Sequence, residues 1–330
     1  MKILKILALV VGVFVIAIAC GGGSGGGGND SGGGISYSGS TIKATINDSN
    51  AEDVSTGAYQ VGTTGSALSV IGAIETYEDN QITRPRSLVV SQALGNALSK
   101  VDISSHSGGI ASASVQSESD RIYGDCGGHA DVTVTYDDVT GNFNGSMNFN
   151  GFCSGSVFIS GSTSFSGTLD VGTGDFIDFT FSFNSLTGSS GSDSFTLQGE
   201  LSVNASTSLV TATMNMLLKD NTSGNVYKLE NYVMTTTEGS TYIDIEVSGK
   251  YYDPAYGYVD ISTPSPLRIF DTDDWPSQGL MVLTGNTGMG GGSTKAKLTA
   301  LSSTQYQVEA DTNGDGTYDY NSGPLNWSDL

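Results

Sequence analysis

Positive charge is what this chain has least of: 13 Lys and Arg stand against 34 Asp and Glu, a formal net charge of −21 over 330 residues. A nucleic-acid partner is excluded on that balance, because a phosphate backbone needs neutralising cations and would meet repulsion instead. Anionic lipid surfaces are poor electrostatic partners for the same reason. Histidine is limited to His106 and His129. A Ser-His-Asp site would need one of them beside a nucleophile, and the sequence offers no such pairing, so no catalytic residue is assigned. The cysteines are three, Cys20, Cys126 and Cys153. His129 follows Cys126 closely, but no second pair of ligands completes a zinc set. Long apolar runs are also missing: a spanning helix needs about 20 residues, and the run from Ile6 to Ala19 ends at Cys20 and a glycine tract.

What is present suffices for a core, at 37% hydrophobic residues, and the length allows one large all-β domain or two smaller ones. Lys2 and Lys5 precede the Ile6–Ala19 run, and small residues close it, which is the order of an export signal. The segment Ala17-Ile18-Ala19-Cys20 resembles the lipobox of bacterial lipoproteins. That resemblance implies a signal peptide over 1–19 and acylation of Cys20 as the first mature residue, hence a membrane partner through an N-terminal lipid. Gly21 after the Cys, by similarity to enterobacterial sorting, implies the outer membrane, on its periplasmic face or at the cell surface. Residues 20–34 are the lipidated Cys and a Gly-rich linker that can bury nothing. Its r.m.s. reach is about 20 Å. In an exported protein the remaining pair, Cys126 and Cys153, is most simply a disulfide.

Residues 35–111 read as a mixed α/β part packing on a sheet. Ser49-Asn50-Ala51-Glu52 matches a capping box and predicts a short helix ending near Gly62. A second helix is expected from Pro85, with Val90, Leu94, Ala97, Leu98 and Val101 on one stripe. Residues 112–330 switch to a period of two, as in Phe143, Gly145, Met147 and Phe149, or Phe179, Phe181 and Phe183, with turn-rich pieces between. The predicted fold is mainly β: a long, curved antiparallel meander or half-open barrel with one or two short N-terminal helices. A two-sheet sandwich is the alternative. Gly145, Gly161, Gly167, Gly199 and Gly249 fall on the apolar face, where missing side chains let a sheet coil. A transmembrane barrel shares the alternation, but a spanning barrel would not need a lipid anchor.

Asp311, Asn313, Asp315, Thr317 and Asp319 place oxygens at positions 1, 3, 5, 7 and 9 of a DxNxDG loop with Gly316 at the turn, a pattern suited to Ca2+. Position 12 is Ser322 where an EF-hand has Glu, and the flanks read as strands, so the alternative is a plain hairpin turn. Asp271, Asp273 and Asp274 before Trp275, near Tyr251, Tyr252, Tyr256 and Tyr258, suggest either a glycan surface or cross-strand aromatic pairs. The ending from Trp275 to Leu330 and the Tyr37–Thr41 opening are similar to β-rich envelope lipoproteins of environmental Gram-negative bacteria, a resemblance that implies location and fold only. The functional expectation is a lipid-anchored, non-enzymatic envelope protein with a binding or scaffolding role. Its partners would be a hydrophobic ligand, a glycan or another envelope protein; the alternative is a secreted-side glycan-active enzyme or a carbohydrate-binding or adhesion module.

Overall fold

The computed structural model describes residues 34–69 and 115–330, apart from 155–156, 173–175, 191–192 and 207–208. Cys20, the glycine tract, the expected second helix and His106 lie outside the described residues.

The described chain is one α-helix, one sheet and a closing 3-10 turn over Trp327–Asp329. Helix α1 spans Ala51–Ser69. Fourteen strands follow: β1 Val115–Tyr123, β2 His129–Asp137, β3 Asn142–Ser154, β4 Val157–Leu169, β5 Phe176–Ser190, β6 Asp193–Ala205, β7 Leu209–Asp220, β8 Val226–Glu238, β9 Tyr242–Asp253, β10 Gly257–Phe270, β11 Gln278–Thr287, β12 Ser293–Ser302, β13 Gln305–Asp311 and β14 Tyr320–Asn326. Each strand pairs antiparallel with its neighbours in sequence, giving a single meander in the order β1 to β14. The sheet is not closed into a barrel. One continuous sheet sets the sandwich alternative aside.

Period-two patterning accounts for the two faces. Phe143, Met147 and Phe149 on β3, Phe179, Phe181 and Phe183 on β5, and Val210, Ala212, Met214 and Met216 on β7 are buried. Their alternates are polar and solvent-facing. Polar outside and apolar inside is the reverse of a spanning barrel.

Curvature comes from two devices. First, Phe143 is opposite Gly167 and Phe165 opposite Gly145, and a Cβ on either glycine would strike the facing ring at 2.7 or 2.4 Å. Each ring therefore lies flat over its partner glycine. Second, a seam of bulges and left-handed residues crosses the sheet on seven of the strands from β3 to β11. It passes through Gly151, Gly161, Ser185 (φ 101°), Gly199, Asn231 (φ 46°), Gly249 and Gly279, beside register shifts between β3 and β4, β4 and β5, β5 and β6, β7 and β8, and β8 and β9. At Gly161, Gly199, Gly249 and Gly279 a Cβ would lie 2.2–2.3 Å from a carbonyl oxygen of the adjacent strand. Bulges sharpen twist, so the sheet coils along this line.

Helix α1 fills the hollow, touching β6–β9 on one side and β12–β13 on the other. The chain reaches it through the sheet. Tyr258 N donates to Ile42 O at 3.0 Å, Ala44 N to Tyr258 O at 2.8 Å and Asn286 N to Ala44 O at 2.7 Å, so residues 42–44 wedge between β10 and β11. Ile46 then sits fully buried.

The capping box is corrected in detail. Asn50 stands immediately before the helix, its Oδ1 accepting from Asn47 N at 2.8 Å. Ser49 Oγ donates to Asn47 Oδ1 at 2.6 Å instead of capping a helix amide, and Glu52 accepts from the Tyr320 hydroxyl. The helix also runs through Gly62 to Ser69, a helical glycine costing only about 1 kcal/mol.

Candidate functional surface

The inner face of β6–β9 and β12–β13, with the adjoining turns and the C-terminus, holds α1. Tyr232 Oη donates to Ala58 O at 3.3 Å, Tyr256 Oη to Asp53 Oδ2 at 2.9 Å and Gln60 Nε2 to Leu330 O at 2.9 Å. Trp327, wholly buried, stacks on Trp275 at 5.7 Å and meets Tyr306 at 4.6 Å and Tyr59 at 5.2 Å. Its indole N–H is shared between Pro276 O at 3.1 Å and Ser302 O at 3.0 Å. Burial pushes the Tyr232 and Tyr59 hydroxyls far above their ordinary range. Asp253 closes the β9–β10 turn by accepting from Ala255 N at 2.8 Å and Tyr256 N at 3.2 Å. Burial raises its pKa above the ordinary carboxylate value despite these bonds.

The residues singled out by the acidic-aromatic reading are not brought together as a ligand platform. Trp275 points inward at 5% exposure while Asp271 and Asp274 stay in solvent. Tyr252 pairs across strands with Tyr258, ring centroids 5.1 Å apart, which is the cross-strand alternative.

Cys126 and Cys153 are joined by a disulfide, Cα atoms 5.2 Å apart, tying the β1–β2 turn to β3. His129 lies 3.7 Å from Asp131.

In the DxNxDG loop the acids serve the loop's own amides. Asp311, 2% exposed, accepts from Gly314 N at 2.7 Å, Asp315 N at 3.2 Å and Gly316 N at 2.9 Å. Asn313 accepts from Asp315 N and Asp315 from Thr317 N, both at 2.8 Å. Asp319 accepts from Thr312 N and Oγ1, which hold its carboxyl below the ordinary range. The Gly-rich β11–β12 tip seats on this loop: Gly290 N donates to Asn313 O at 2.7 Å and Gly292 N to Gly314 O at 2.9 Å. Among the described residues, no three His, Cys, Asp or Glu side chains are grouped to hold a metal ion.

The outer face divides in two. Over β8–β13 it is an ionic belt in which cations bond carboxylates and lie over tyrosine rings. Glu230 accepts from Lys228 at 2.6 Å, Lys250 at 3.3 Å and the Tyr252 hydroxyl at 3.1 Å. The Lys228 bond is the main reason its carboxyl is held low. Desolvation, with Glu230 beside it, pushes the Tyr252 hydroxyl up to about 12. Lys228 lies 4.5 Å above the Tyr252 ring and Lys250 5.0 Å above that of Tyr258. Arg268 makes a bidentate pair with Asp244, both bonds 2.7 Å, under the Tyr242 ring at 3.7 Å. Lys297 pairs with Glu309 at 2.9 Å and faces Tyr318 at 4.2 Å.

Over β2–β7 the same face is mostly hydroxyls and amides, with Asp131, Asp137, Asp178 and Glu200 among them. Register aligns Thr135, Asn144, Ser166, Thr180, Ser202 and Thr213 into one row across six strands. A second row runs Thr133, Ser146, Ser164 and Ser182 before reaching Glu200. A third runs Asn142, Thr168, Asp178, Asn204 and Thr211. All are exposed or half-buried, and some bond one another, as Thr180 Oγ1 does Ser202 Oγ at 3.0 Å. The polar alternates are visible in the sequence, but their alignment into rows, and that of the Lys–Tyr belt, depends on strand register. The N-terminal segment crosses this outer face: Gly34 abuts the Gln198 side chain, and the Tyr37 ring meets Tyr252 edge-on at 5.6 Å.

Comparison with protein-family models, with curated proteins and with solved structures gives no match.

Proposed function

We propose that this chain is a lipid-anchored, non-enzymatic envelope protein that presents a rigid open sheet at the outer membrane in a binding or scaffolding role. The observation that carries it is the order of Lys2 and Lys5, the Ile6–Ala19 run, Ala17-Ile18-Ala19-Cys20 and the glycine tract. The Cys126–Cys153 disulfide supports an oxidising location. Scaffolding has more support than carriage of a hydrophobic ligand, because the inner side chains of β3, β5 and β7 are already buried. The alternative of a glycan-active enzyme using Asp271, Asp273 and Asp274 has less support, since the neighbouring Trp275 faces away.

Metabolic labelling with a palmitate analogue tests the proposal. Label is expected on the wild-type chain and absent from Cys20→Ser, which should leave the membrane fraction. An unlabelled mature chain that keeps its initiator methionine would overturn it. Calcium at Asp311, Asn313, Asp315, Thr317 and Asp319 is a separate proposal, resting on the spacing of those oxygens. Asp311 and Asp319 already serve amides and hydroxyls, so an ion would reinforce the loop instead of creating it. A melting temperature that rises with calcium over chelator, and fails to do so in Asp315→Ala, is the expected result; identical melting curves would refute it.

A further inference from the structure

Three Asn-Gly pairs fall among the described residues: Asn144-Gly145, Asn150-Gly151 and Asn313-Gly314. In such a pair the glycine nitrogen can approach the preceding side-chain amide without a Cβ in the way, and the structure treats the three differently. At Gly145 a Cβ would lie 2.3 Å from Thr133 O and 2.4 Å from the Phe165 ring, and β2 and β4 flank the residue on both sides. At Gly314 a Cβ would lie 2.2 Å from Gly292 O, and the nitrogen donates to the buried Asp311 carboxylate at 2.7 Å. That carboxylate opposes loss of the proton, because the resulting amide anion would face a negative charge.

Gly151 is placed otherwise. It adopts φ 55°, in a bulge where Asn150 and Gly151 together oppose Ser160 between the pairs Phe149–Gly161 and Phe152–Ile159. Beyond its chain neighbours no atom comes within 4 Å of a Cβ built there, so a ring closing on its nitrogen has room. Groups suited to both proton transfers adjoin it. Gly151 N donates to Ser160 Oγ at 3.1 Å. A hydroxyl accepts and donates, so Ser160 can turn and donate to the nitrogen once its proton is gone. The exposed Asn150 side chain faces His129 across the β2–β3 pair, Nδ2 lying 3.3 Å from His129 Nε2. Protonated, that imidazole is a general acid for the nitrogen that must leave.

We propose that Asn150-Gly151 is a self-modification site, at which the chain converts its own side-chain amide to a carboxylate with Ser160 and His129 assisting. Gly151 N gives its proton to solvent base and attacks Asn150 Cγ, closing a succinimide. His129 delivers a proton to Nδ2, the Cγ–Nδ2 bond breaks and ammonia departs. Water then adds to either ring carbonyl and reopens the ring as aspartate or isoaspartate; nothing is oxidised or reduced. The product carries a carboxylate facing His129, next to the Asp131–Arg121 pair. The isoaspartyl form also adds a main-chain carbon to β3 ahead of Cys153, which is tied to Cys126. The inference goes beyond the anchoring role and does not depend on acylation of Cys20.

Incubating the freshly purified full chain for several weeks in warm, near-neutral buffer made with heavy-oxygen water tests it, with peptide mapping by mass spectrometry. Amide-to-acid conversion with heavy oxygen incorporated is expected at Asn150 roughly tenfold or more faster than at Asn144 or Asn313, with isoaspartate among the products. In concentrated urea the three rates should converge. His129→Gln and Ser160→Ala, both at surface positions, should each slow conversion at Asn150 several-fold, leaving the other two sites and the melting curve unchanged. No conversion at Asn150, conversion no faster than at the other two pairs, or a lead that survives in urea overturns the proposal. So does an unchanged rate at Asn150 in either variant once its melting curve matches that of the wild type; Ser160→Val replaces Ser160→Ala, and His129→Asn replaces His129→Gln, should either disturb folding.

Discussion

Gly57 sits inside helix α1, where Ala is ordinarily better by about 1 kcal/mol, yet Gly57→Ala should destabilise this protein. A Cβ at that position would lie 2.5 Å from Tyr251 Oη and 3.2 Å from its Cζ. The ring has no room to move away: Tyr251 is 1% exposed and its hydroxyl is held by Asp253 Oδ2 at 3.3 Å. Overpacking of this kind costs about 1–3 kcal/mol, and with no room for the ring to yield the upper part of that range applies, which leaves a net loss of up to about 2 kcal/mol after the helical gain. That corresponds to a melting temperature lower by up to about 6 °C. In a Tyr251→Phe background the closest contact disappears and only the ring carbon remains tight, so the same substitution should cost less, with a coupling of about 1 kcal/mol. Urea and thermal unfolding of the four proteins of this cycle measure it. Stabilisation by Gly57→Ala in the wild-type background, or equal costs in both, would refute the placement of α1 against β9.

Reducing the Cys126–Cys153 bond, which closes a separation of 27 residues, should cost about 3.5 kcal/mol in urea unfolding; a loss below about 1 kcal/mol would contradict the chain-entropy reasoning. Ser185 holds φ at 101° in the bulge of β5, so Ser185→Gly should stabilise by about 1 kcal/mol, as relief of strain exceeds the added unfolded-state entropy. A destabilised variant would show that the Ser185 side chain contributes more than its backbone costs. Asp253 has a raised pKa in the folded state because it is buried. Its contribution to stability is therefore full below the ordinary carboxylate pKa and is lost as pH rises through the raised value. Asp253→Asn should accordingly melt higher than wild type at pH about 7, with the gap closing towards pH about 4. A gap that is constant across that range would count against burial of the carboxylate.

Expectation and structure diverge at identifiable places. The strands of β3, β5, β6, β7 and β9 are legible because a period of two is a local property, readable wherever Phe, Leu, Val and Met alternate with Ser, Thr and Asn. The glycines expected to bend the sheet do so, but by two routes that a linear reading treats alike. Gly145 and Gly167 make space for rings, whereas Gly161, Gly199 and Gly249 adopt left-handed backbone at bulges. The start of α1 falls where the sequence places it, while the capping role passes from Ser49 to the Asn47–Asn50 turn, since several oxygen-bearing side chains in a row compete for the same amides. Trp275 and its acidic neighbours looked alike as surface groups, and only the stacking on Trp327 separates them.

The sequence by itself determined the strand-rich class and the division of each strand into an apolar and a polar face. Each follows from composition or from neighbours a few positions apart. Tertiary structure alone decided that one open sheet coils around α1, that an N-terminal segment wedges between β10 and β11, and that scattered hydroxyls align into rows beside a belt of tyrosine-capped ion pairs. The physical reason is register: a shift of one residue in any hairpin exchanges the two faces of a strand, and bulges, turns and packing against the helix set that register over distances the linear pattern does not encode.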